Sequence, residues 1–356
     1  GTGVVPWEYH AGIRSWLFPG LIANLMRLGA MLGDGPEPYL LLIRGACSAL
    51  SLSIVWAGFR LGEHAQGQRA AILAGGFAAV WFDPVWFAPA VLTETVAAHL
   101  IILALALDAA GRRAWLAAIC LGLAVCLRYQ YGPAIAVIIL WRCRLSWPAW
   151  RPILVGGAAT VLLAGGVLDW VTWGAPFQSF WLHFLRNTVG GIGSAMGTEP
   201  VGFYLAYLMV ALWPAPLLLP LLIVGGTRAP ALALAALATV LVHTLIPHKE
   251  VRFIYLALAA APILLGLGVD ALMERVRVRS WPWATAGVLA CAGLSWMVAT
   301  SPALAARWSF NRANIQVFLA ASRIPGLTGL GVRDMRLIDM GGYTYLHRDV
   351  PLFVAD

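Results

Sequence analysis

Charged residues are scarce in this chain, and that scarcity limits the kind of protein it can be. Of its 356 residues only 11% are charged, whereas 61% are hydrophobic and the mean hydropathy is +0.80. A soluble domain is usually about 25% charged and about 45–50% apolar. No soluble fold of this size has an interior that could bury so much apolar surface. The composition excludes an ordinary soluble enzyme, a disordered chain and a nucleic-acid-binding domain, and it predicts a polytopic membrane protein.

Lysine is almost absent, since Lys249 is the only one among 24 basic residues. A compact ammonium group does chemistry that a guanidinium cannot, so this lysine is a functional candidate. The five cysteines lie in or beside apolar stretches and show neither metal-ligand spacing nor a disulfide framework. No metal-ligand cluster and no glycine-rich nucleotide loop is found. The sequence therefore predicts no cofactor and leaves a divalent-metal requirement open.

Ten apolar stretches are candidates for membrane spans, because a crossing helix needs about 20 apolar residues. They are 39–61, 70–88, 91–108, 114–128, 130–142, 152–172, 202–224, 229–247, 253–271 and 283–300. The stretches at 114–128 and 130–142 are short and meet at a polar junction. Broken helices are tolerated where they line a polar cavity, which Arg128 and Tyr131 would then face.

The distribution of arginines predicts the orientation of the chain. Eleven arginines fall in one alternate set of short connections: Arg60, Arg69, Arg112, Arg113, Arg142, Arg144, Arg151, Arg228, Arg275, Arg277 and Arg279. Basic residues in short loops mark the cytoplasmic side. The outer side then holds residues 1–38, 83–89, 173–201, 247–252 and the tail from 301.

The predicted fold is an all-α polytopic membrane protein of about ten spans with a small C-terminal α/β appendage on the outer face. Residues 1–38 form a first outer loop with interfacial helices, of which 13–32 is the apolar, proline-broken part. Residues 39–300 form the transmembrane domain. Residues 301–356 form a small soluble region, with a helix over 311–323 and strands at 335–339 and 350–355. The chain opens without methionine and closes in a strand-like pattern, so we expect a fragment at both ends.

The most unusual polar cluster is His248-Lys249-Glu250-Val251-Arg252-Phe253, which lies between two apolar stretches. A charge at membrane depth costs about 2.5–3.5 kcal/mol on insertion scales, so four ionisable residues in five positions need a reason. Pro247 ends the preceding helix, and the free amides of the next helix favour an anion. Two interpretations stay open here, a hydrated charged loop and a site for a lipid phosphate.

Four further polar residues on the outer side are candidates. Glu94 lies one turn below the interface, where a carboxylate is a functional candidate by default. Asp169 ends a span and is either a hydrated helix cap or a ligand of sugar hydroxyls. Asn187 lies in the long outer loop beside Arg186. Glu8, the first carboxylate of the chain, is either a surface residue or part of a site.

Several of these segments together resemble family 22 of the GT-C glycosyltransferases. The resemblance depends above all on the 248–253 segment. It is supported by Trp7-Glu8-Tyr9 with Ile13-Arg14-Ser15-Trp16-Leu17-Phe18-Pro19, by the order of residues from Asp169 to Leu205, and more weakly by Tyr343-Thr344-Tyr345-Leu346-His347. It covers essentially the whole chain.

The resemblance implies an enzyme that moves a sugar, typically mannose, from a polyprenyl-phosphate donor to a hydroxyl of a glycan or lipid-linked acceptor. The reaction would occur on the periplasmic face of a bacterial inner membrane or the lumenal face of the endoplasmic reticulum, usually with inversion. Cations aimed at the phosphate would then be His248, Lys249, Arg252 and Arg186. Sugar or acceptor ligands would be Glu94, Asp169, Asn187 and Glu250. The family's proposed base lies upstream of Trp7, outside this sequence, which leaves Glu8 as the fallback candidate.

Two other functions stay open. A GT-C enzyme that uses a different lipid-linked sugar would have the same spans and charges, so only donor assays separate the two. A transporter or lipid flippase would show paired broken helices in related halves and polar groups at the midplane. In this chain the polar groups lie on one face and no internal repeat is found, which favours the enzyme.

Overall fold

A computed structural model describes residues 7–109, 113–144, 146–277, 281–333 and 343–355. The helices preceding the long outer loop are α1 (Trp7–His10), α2 (Leu17–Ala30), α3 (Glu37–Gln66), α4 (Gln68–Val80), α5 (Phe82–Phe87), α6 (Thr93–Ala109), α7 (Ala114–Leu127), α8 (Gly132–Cys143) and α9 (Trp147–Trp173). Those that follow are α10 (Gln178–His183), α11 (Ile192–Ala195), α12 (Phe203–Ala211), α13 (Ala215–Arg228), α14 (Pro230–Leu245), α15 (Tyr255–Arg275), α16 (Trp281–Ala299), α17 (Arg312–Ser322) and α18 (Tyr343–Leu346). Two strands complete the fold, β1 (Leu330–Arg333) and β2 (Leu352–Ala355).

A helix lies at each of the ten predicted spans, but their lengths differ. Four helical segments are long and apolar enough to cross a membrane by length and composition: Glu37–Gln66, Trp147–Trp173, Val251–Arg275 and Trp281–Ala299. A fifth crossing is possible if α12 and α13 form one bent span. The other five, α4, α6, α7, α8 and α14, have 12 to 17 residues. The protein is a membrane protein, while the count of ten spans stays a prediction.

The prediction of one continuous helix over 202–224 is wrong. The structure has two helices there, α12 and α13, which are bent by 97° at the break. Pro214 explains the break, since proline lacks a backbone donor and disfavours helical geometry at the residue before it.

Helix α15 lies at the centre of the bundle, where it packs against α4, α6, α13 and α14. Fifteen of its 21 residues are buried. Its contact with α13 is backbone to backbone, because a Cβ atom at Gly225 would overlap the carbonyl oxygen of Leu264, and one at Gly268 would overlap that of Leu221. Small residues allow helices to approach this closely, and close approach drives helix association in lipid.

Polar contacts divide the bundle into two ends. At one end Asp83 pairs with Arg307 at 3.1 Å, and the predicted outer segments contact one another there. At the opposite end lie the pairs of Asp270 with Arg69, of Glu274 with Arg228 and of Asp108 with Arg142. These arginines belong to the set predicted for the cytoplasmic side, of which Arg112 and Arg279 lie outside the described residues. The structure thus groups the loops as the charge pattern predicts, and which end is cytoplasmic stays a prediction.

The C-terminal residues form a small α/β unit with its own apolar contacts. Strands β1 and β2 pair in parallel, with Leu330 opposite Leu352. Phe318 of α17 and Leu346 of α18 are fully buried against them. Helix α17 and strand β2 match the predicted helix over 311–323 and strand over 350–355, while the strand predicted at 335–339 lies outside the described residues. Tyr39 ties this unit to α3, since its hydroxyl donates to the carbonyl of Thr344 over 3.0 Å.

Candidate active site

A buried carboxylate with two arginines lies at the end of the bundle that also holds the Asp83–Arg307 pair. Glu94, at the start of α6, is 4% exposed. Its Oε1 lies 3.3 Å from Nη1 of Arg128 and 3.6 Å from Nε of Arg252. Its Oε2 accepts a hydrogen bond of 3.1 Å from Thr93. A buried charge is tolerated when it is paired, and a carboxylate is favoured in the first turn of a helix.

The segment 247–254, which contains Arg252, brings two more polar residues to this point, His248 and Glu250. It is extended at Glu250 and becomes a short 3-10 turn over Val251–Ile254, just before α15. Glu250 Oε1 accepts a hydrogen bond of 2.7 Å from Arg252 and lies 3.2 Å from His248 Nε2. We call Glu94, Arg128, His248, Glu250 and Arg252 the Glu94 cluster. The two predicted candidates Glu94 and His248–Arg252 therefore meet in space.

Acceptors lie on both sides of the His248 ring. Nδ1 is 2.8 Å from the carbonyl oxygen of Gly197, and Nε2 faces the Glu250 carboxylate. Phe253 lies next to the two arginines, whose guanidinium groups are 4.8 Å (Arg128) and 5.5 Å (Arg252) from its ring centre. Such contacts with a π face favour positive charge.

Lys249 is buried and connects two loops. The whole residue is 5% exposed. Its Nζ donates hydrogen bonds to the carbonyl oxygens of Glu199 at 2.9 Å and of Pro247 at 3.4 Å. Two of its three donors are therefore used by the backbone. Through the Glu199 carbonyl, Lys249 links its own segment to the 197–200 loop. A direct contact between Lys249 and a phosphate stays a prediction.

An open cavity lies beside the Glu94 cluster, with about 590 Å³ of empty volume. Its walls come from the first outer loop, from the junction between α7 and α8, and from α10. We call it the first-loop cavity. It is lined, among others, by Tyr9, Arg14, Arg128, Tyr129, Gln130, Phe180 and His183. Gly12 shapes the loop wall, because its φ of +66° is a left-handed conformation that favours glycine.

His183 and Gln130 are a pair that sequence reasoning missed. The Nε2 atoms of the two side chains lie 3.2 Å apart, and His183 also bonds to the backbone of Ile13. Burial, together with the charges of Arg14 and Arg128, lowers the pKa of His183 from 6.5 to about 3. The imidazole is therefore neutral at physiological pH. The available signal was Gln130 itself, an amide between two apolar helices too short to cross alone.

Asp169 has a role that neither sequence interpretation included. It is 1% exposed, and its Oδ2 accepts hydrogen bonds from the Ser179 amide at 2.9 Å and hydroxyl at 2.6 Å. It is therefore neither a hydrated cap nor a member of the Glu94 cluster. It fixes the beginning of α10 after the turn at Gly174, whose φ of +88° ends α9. Ser179 lines the first-loop cavity, so Asp169 affects the cavity indirectly, by fixing the position of Ser179.

The remaining predicted residues lie at different distances from the cluster. Glu8 pairs with Arg14 at 3.0 Å, and its charge also acts on Arg252. The side chain of Arg186 is exposed on the short π-helix over Phe184–Val189 that follows α10, and within the described residues this side chain makes no hydrogen bond or ion pair. Asn187 is half-buried in the same π-helix. The prediction that groups Arg186 with the 248–252 cations is therefore not supported by a contact, since His183 lines the cavity whereas Arg186 lies at the surface.

Sequence comparisons relate this chain to mannosyltransferases. The sequence model of the Alg9-like mannosyltransferase family matches residues 1–315. GPI mannosyltransferase 3 of Yarrowia lipolytica is 26% identical over 379 residues, which cover 99% of this chain and 69% of that protein. Dol-P-Man:Man(7)GlcNAc(2)-PP-Dol alpha-1,6-mannosyltransferase of Saccharomyces cerevisiae is 33% identical over 114 residues, which cover 31% of this chain and 20% of that protein.

Structural comparisons relate the fold to that of two membrane enzymes. ArnT from Cupriavidus metallidurans, in a structure with undecaprenyl phosphate, superposes with a TM-score of 0.65 at 14% identity, covering 96% of this chain and 76% of ArnT. The oligosaccharyltransferase of Archaeoglobus fulgidus superposes with a TM-score of 0.57 at 13% identity, covering 95% of this chain and 53% of that one. At these identities the likeness shows a shared fold.

Proposed function

The chain belongs to the Alg9-like mannosyltransferase family, and from this membership we propose that it moves mannose from a polyprenyl-phosphate donor to a hydroxyl group of a glycan or lipid-linked acceptor. Membership makes the protein a membrane glycosyltransferase. We further propose that transfer takes place on the outer face, which is periplasmic in a bacterium and lumenal in the endoplasmic reticulum. The observation that carries the proposal is the Glu94 cluster, which gathers Arg128, Arg252 and His248 at one end of the bundle.

The chemistry of the donor explains why cations are needed. The acceptor oxygen forms a bond to the anomeric carbon, and the bond from that carbon to the phosphate oxygen breaks. Negative charge then develops on the departing phosphate, and fixed cations that stabilise it lower the barrier. A single displacement of this kind inverts the anomeric centre.

The cations of the Glu94 cluster are not fully used by hydrogen bonds within the protein. Within the described residues, Nε of Arg128 and Nε of Arg252 are buried and have no hydrogen-bond partner, although Nε of Arg252 lies 3.6 Å from the Glu94 carboxylate. We propose that Arg252 and His248 bind the phosphate oxygens directly, since both are partly exposed, and that Arg128 adds its charge from below. Lys249 holds the 197–200 loop in place and has one donor left. Glu94 and Glu250 orient the arginines, a role we prefer over sugar binding because their oxygens face cations.

The acceptor proton must pass to a carboxylate, and such a base contributes about 10²–10⁴-fold. Glu8 is the candidate that the chain offers, because its charge reaches Arg252 and its partner Arg14 lines the first-loop cavity. For Asn187 and Arg186 we propose a contact with the acceptor, since both residues lie on the short π-helix that follows α10.

The test is a comparison of donors with the purified enzyme in lipid nanodiscs. We expect mannose transfer to a membrane-extract acceptor pool from short-chain polyprenyl-phosphate mannose and none from GDP-mannose. Arg252→Met should reduce transfer at least about tenfold, while Arg60→Met, at the opposite end of the bundle, should not. Transfer from GDP-mannose would contradict the proposed donor. Faster transfer from polyprenyl-phosphate glucose than from the mannose donor would assign the enzyme a different sugar.

A further inference from the structure

We propose that the first-loop cavity binds a hexopyranose ring, with the Gln130 amide as the group that selects among sugars and His183 as the residue that positions this amide. The inference deepens the proposed function and rests on it. It assigns to the sugar a place that neither the Glu94 cluster nor any residue predicted from the sequence as a sugar ligand provides.

The walls of the cavity have the chemistry that a sugar ring needs. The cavity is open on one side, and its empty volume of about 590 Å³ includes the space at its mouth. Tyr9, Tyr129 and Phe180 supply aromatic surface for the carbon faces of the ring, while Gln130 and Ser179 supply polar groups for its hydroxyls. A sugar presents apolar faces and polar edges, so a site of this mixed kind fits it better than a lipid chain.

The cavity is adjacent to the place where the phosphate would bind. Arg128 lines the cavity and also pairs with Glu94 at 3.3 Å, and Thr93 lines it beside that carboxylate. A ring in the cavity would therefore have its reacting carbon next to the cations of the Glu94 cluster. This geometry suits either of the two rings that meet in the reaction, the donor mannose or the terminal ring of the acceptor.

The orientation of the Gln130 amide follows from the state of His183. The ring is neutral, since the pKa of His183 is lowered to about 3, and a neutral imidazole has one donor and one acceptor. The Ile13 backbone raises the pKa of His183, as an acceptor of a ring N–H does, and this leaves Nε2 as the acceptor. Nε2 can then accept only from the amide nitrogen of Gln130, at 3.2 Å.

The consequence is a fixed pattern of donor and acceptor at the cavity wall. With its nitrogen turned to His183, Gln130 still has its carbonyl oxygen and its second N–H for a ligand in the cavity that it lines. Two neighbouring ring hydroxyls can bind such a pair, one as donor and one as acceptor. Epimers differ in the direction of one hydroxyl, so a fixed amide distinguishes them, because the wrong epimer leaves one of these two groups unpaired.

The test measures Michaelis constants for donor and acceptor separately. Gln130→Met keeps the size of the side chain and removes the amide. We expect it to raise KM about tenfold for the substrate whose ring fills the cavity, because the ring loses its hydrogen bonds to the amide. Where the donor KM rises, the preference for mannose over glucose donors should fall as well; where the acceptor KM rises, the preference among acceptors that differ in their terminal sugar should fall. A rise confined to the donor KM identifies the donor ring, and a rise confined to the acceptor KM identifies the acceptor ring.

His183 is tested by rescue. We expect His183→Leu to lose the selectivity along with the orientation of the amide, and His183→Gln, which can still accept a hydrogen bond, to retain most of it. Gln68→Met and His64→Gln are matched controls at the opposite, exposed end of the bundle. A purely structural role of His183 would lower thermal stability without changing the ratio of mannose to glucose transfer.

The outcomes separate the two proposals. Absence of transfer from any polyprenyl-phosphate sugar by the wild-type enzyme would overturn the proposed function. An active wild-type enzyme whose Gln130→Met variant keeps both KM values and the sugar preference would overturn this inference alone. If Gln130→Met does not fold, Gln130→Asn, which retracts the amide by one carbon, makes the same measurement, and unchanged KM values and sugar preference in it would likewise refute the assignment.

Discussion

Replacement of Glu94 by glutamine is the sharpest test of how the active site is held together. The change keeps the shape of the side chain and removes one negative charge. Arg128 is 7% exposed and has this carboxylate as its ion-pair partner at 3.3 Å. Arg252 is affected less, because its side chain is 38% exposed and it keeps Glu250 at 2.7 Å. The cost of the substitution therefore comes mainly from one buried, uncompensated arginine.

The size of the effect follows from the geometry. At an effective dielectric constant of about 20, two unit charges separated by 3.3 Å attract each other by about 5 kcal/mol. Removal of one partner from a buried pair is measured to cost about 3–5 kcal/mol. A loss of 1 kcal/mol lowers the melting temperature of a large domain by about 2–4 °C. We expect Glu94→Gln to lower the unfolding midpoint by about 6 °C or more.

The assay is thermal unfolding of the purified protein in detergent, with Glu63→Gln as the matched control. Glu63 pairs with Arg60 on the surface, and both side chains are at least 40% exposed, so its loss should cost about 0–1 kcal/mol. The double variant Glu94→Gln/Arg128→Met should recover part of the lost stability, because it removes the unpaired charge as well. Equal midpoints for Glu94→Gln and Glu63→Gln would refute the argument that Glu94 holds Arg128 in place.

Three further predictions address other parts of the molecule. Lys249→Arg should reduce initial transfer rates at least about tenfold, since a larger guanidinium cannot occupy a site that is 5% exposed without displacing the loops it links; a wild-type rate would remove Lys249 from the site. Gly268→Val should lower the unfolding midpoint, because overpacking costs about 1–3 kcal/mol. Gly293→Val should not, because a Cβ atom at Gly293 would have no atom within 4 Å. Equal midpoints for the two variants would contradict the close helix packing. The pKa of His183 falls from 6.5 to about 3 on folding, so the unfolded chain binds a proton first as the pH drops, and stability should decrease between pH 7 and pH 4. His183→Gln should reduce that decrease in the midpoint, and an identical pH dependence would contradict a neutral buried ring.

Much of the architecture could be predicted because the forces that set it act locally. Long apolar stretches predict helices wherever they occur, and arginines in alternate loops predict which loops share an end. The charged segment 248–252 and Glu94 were both recognisable, since unpaired charges are expensive between apolar spans. That they lie close together confirms neither role. It is expected all the same, because charged side chains that are buried form ion pairs.

The parts that could not be predicted depend on contacts between distant segments. Gln130 and His183 are 53 residues apart, and a histidine in a polar loop carries no sign that it is neutral and buried. Lys249 is conspicuous as the single lysine, but its use of the Glu199 carbonyl depends on how the 197–200 loop packs. The bend after Ala211 was signalled by Pro214, although hydropathy alone favoured one continuous span.

The binding of a bare lipid phosphate tests the central claim most directly. The claim is that the cations of the Glu94 cluster bind the phosphate of the donor. The measurement is the inhibition constant of a short polyprenyl monophosphate against mannose transfer, for the wild-type enzyme and for the His248→Gln and Arg252→Met variants. We predict that both variants raise this constant at least about tenfold, while the corresponding polyprenol, which has no phosphate, inhibits all three weakly and equally. An unchanged inhibition constant in both variants would contradict the account.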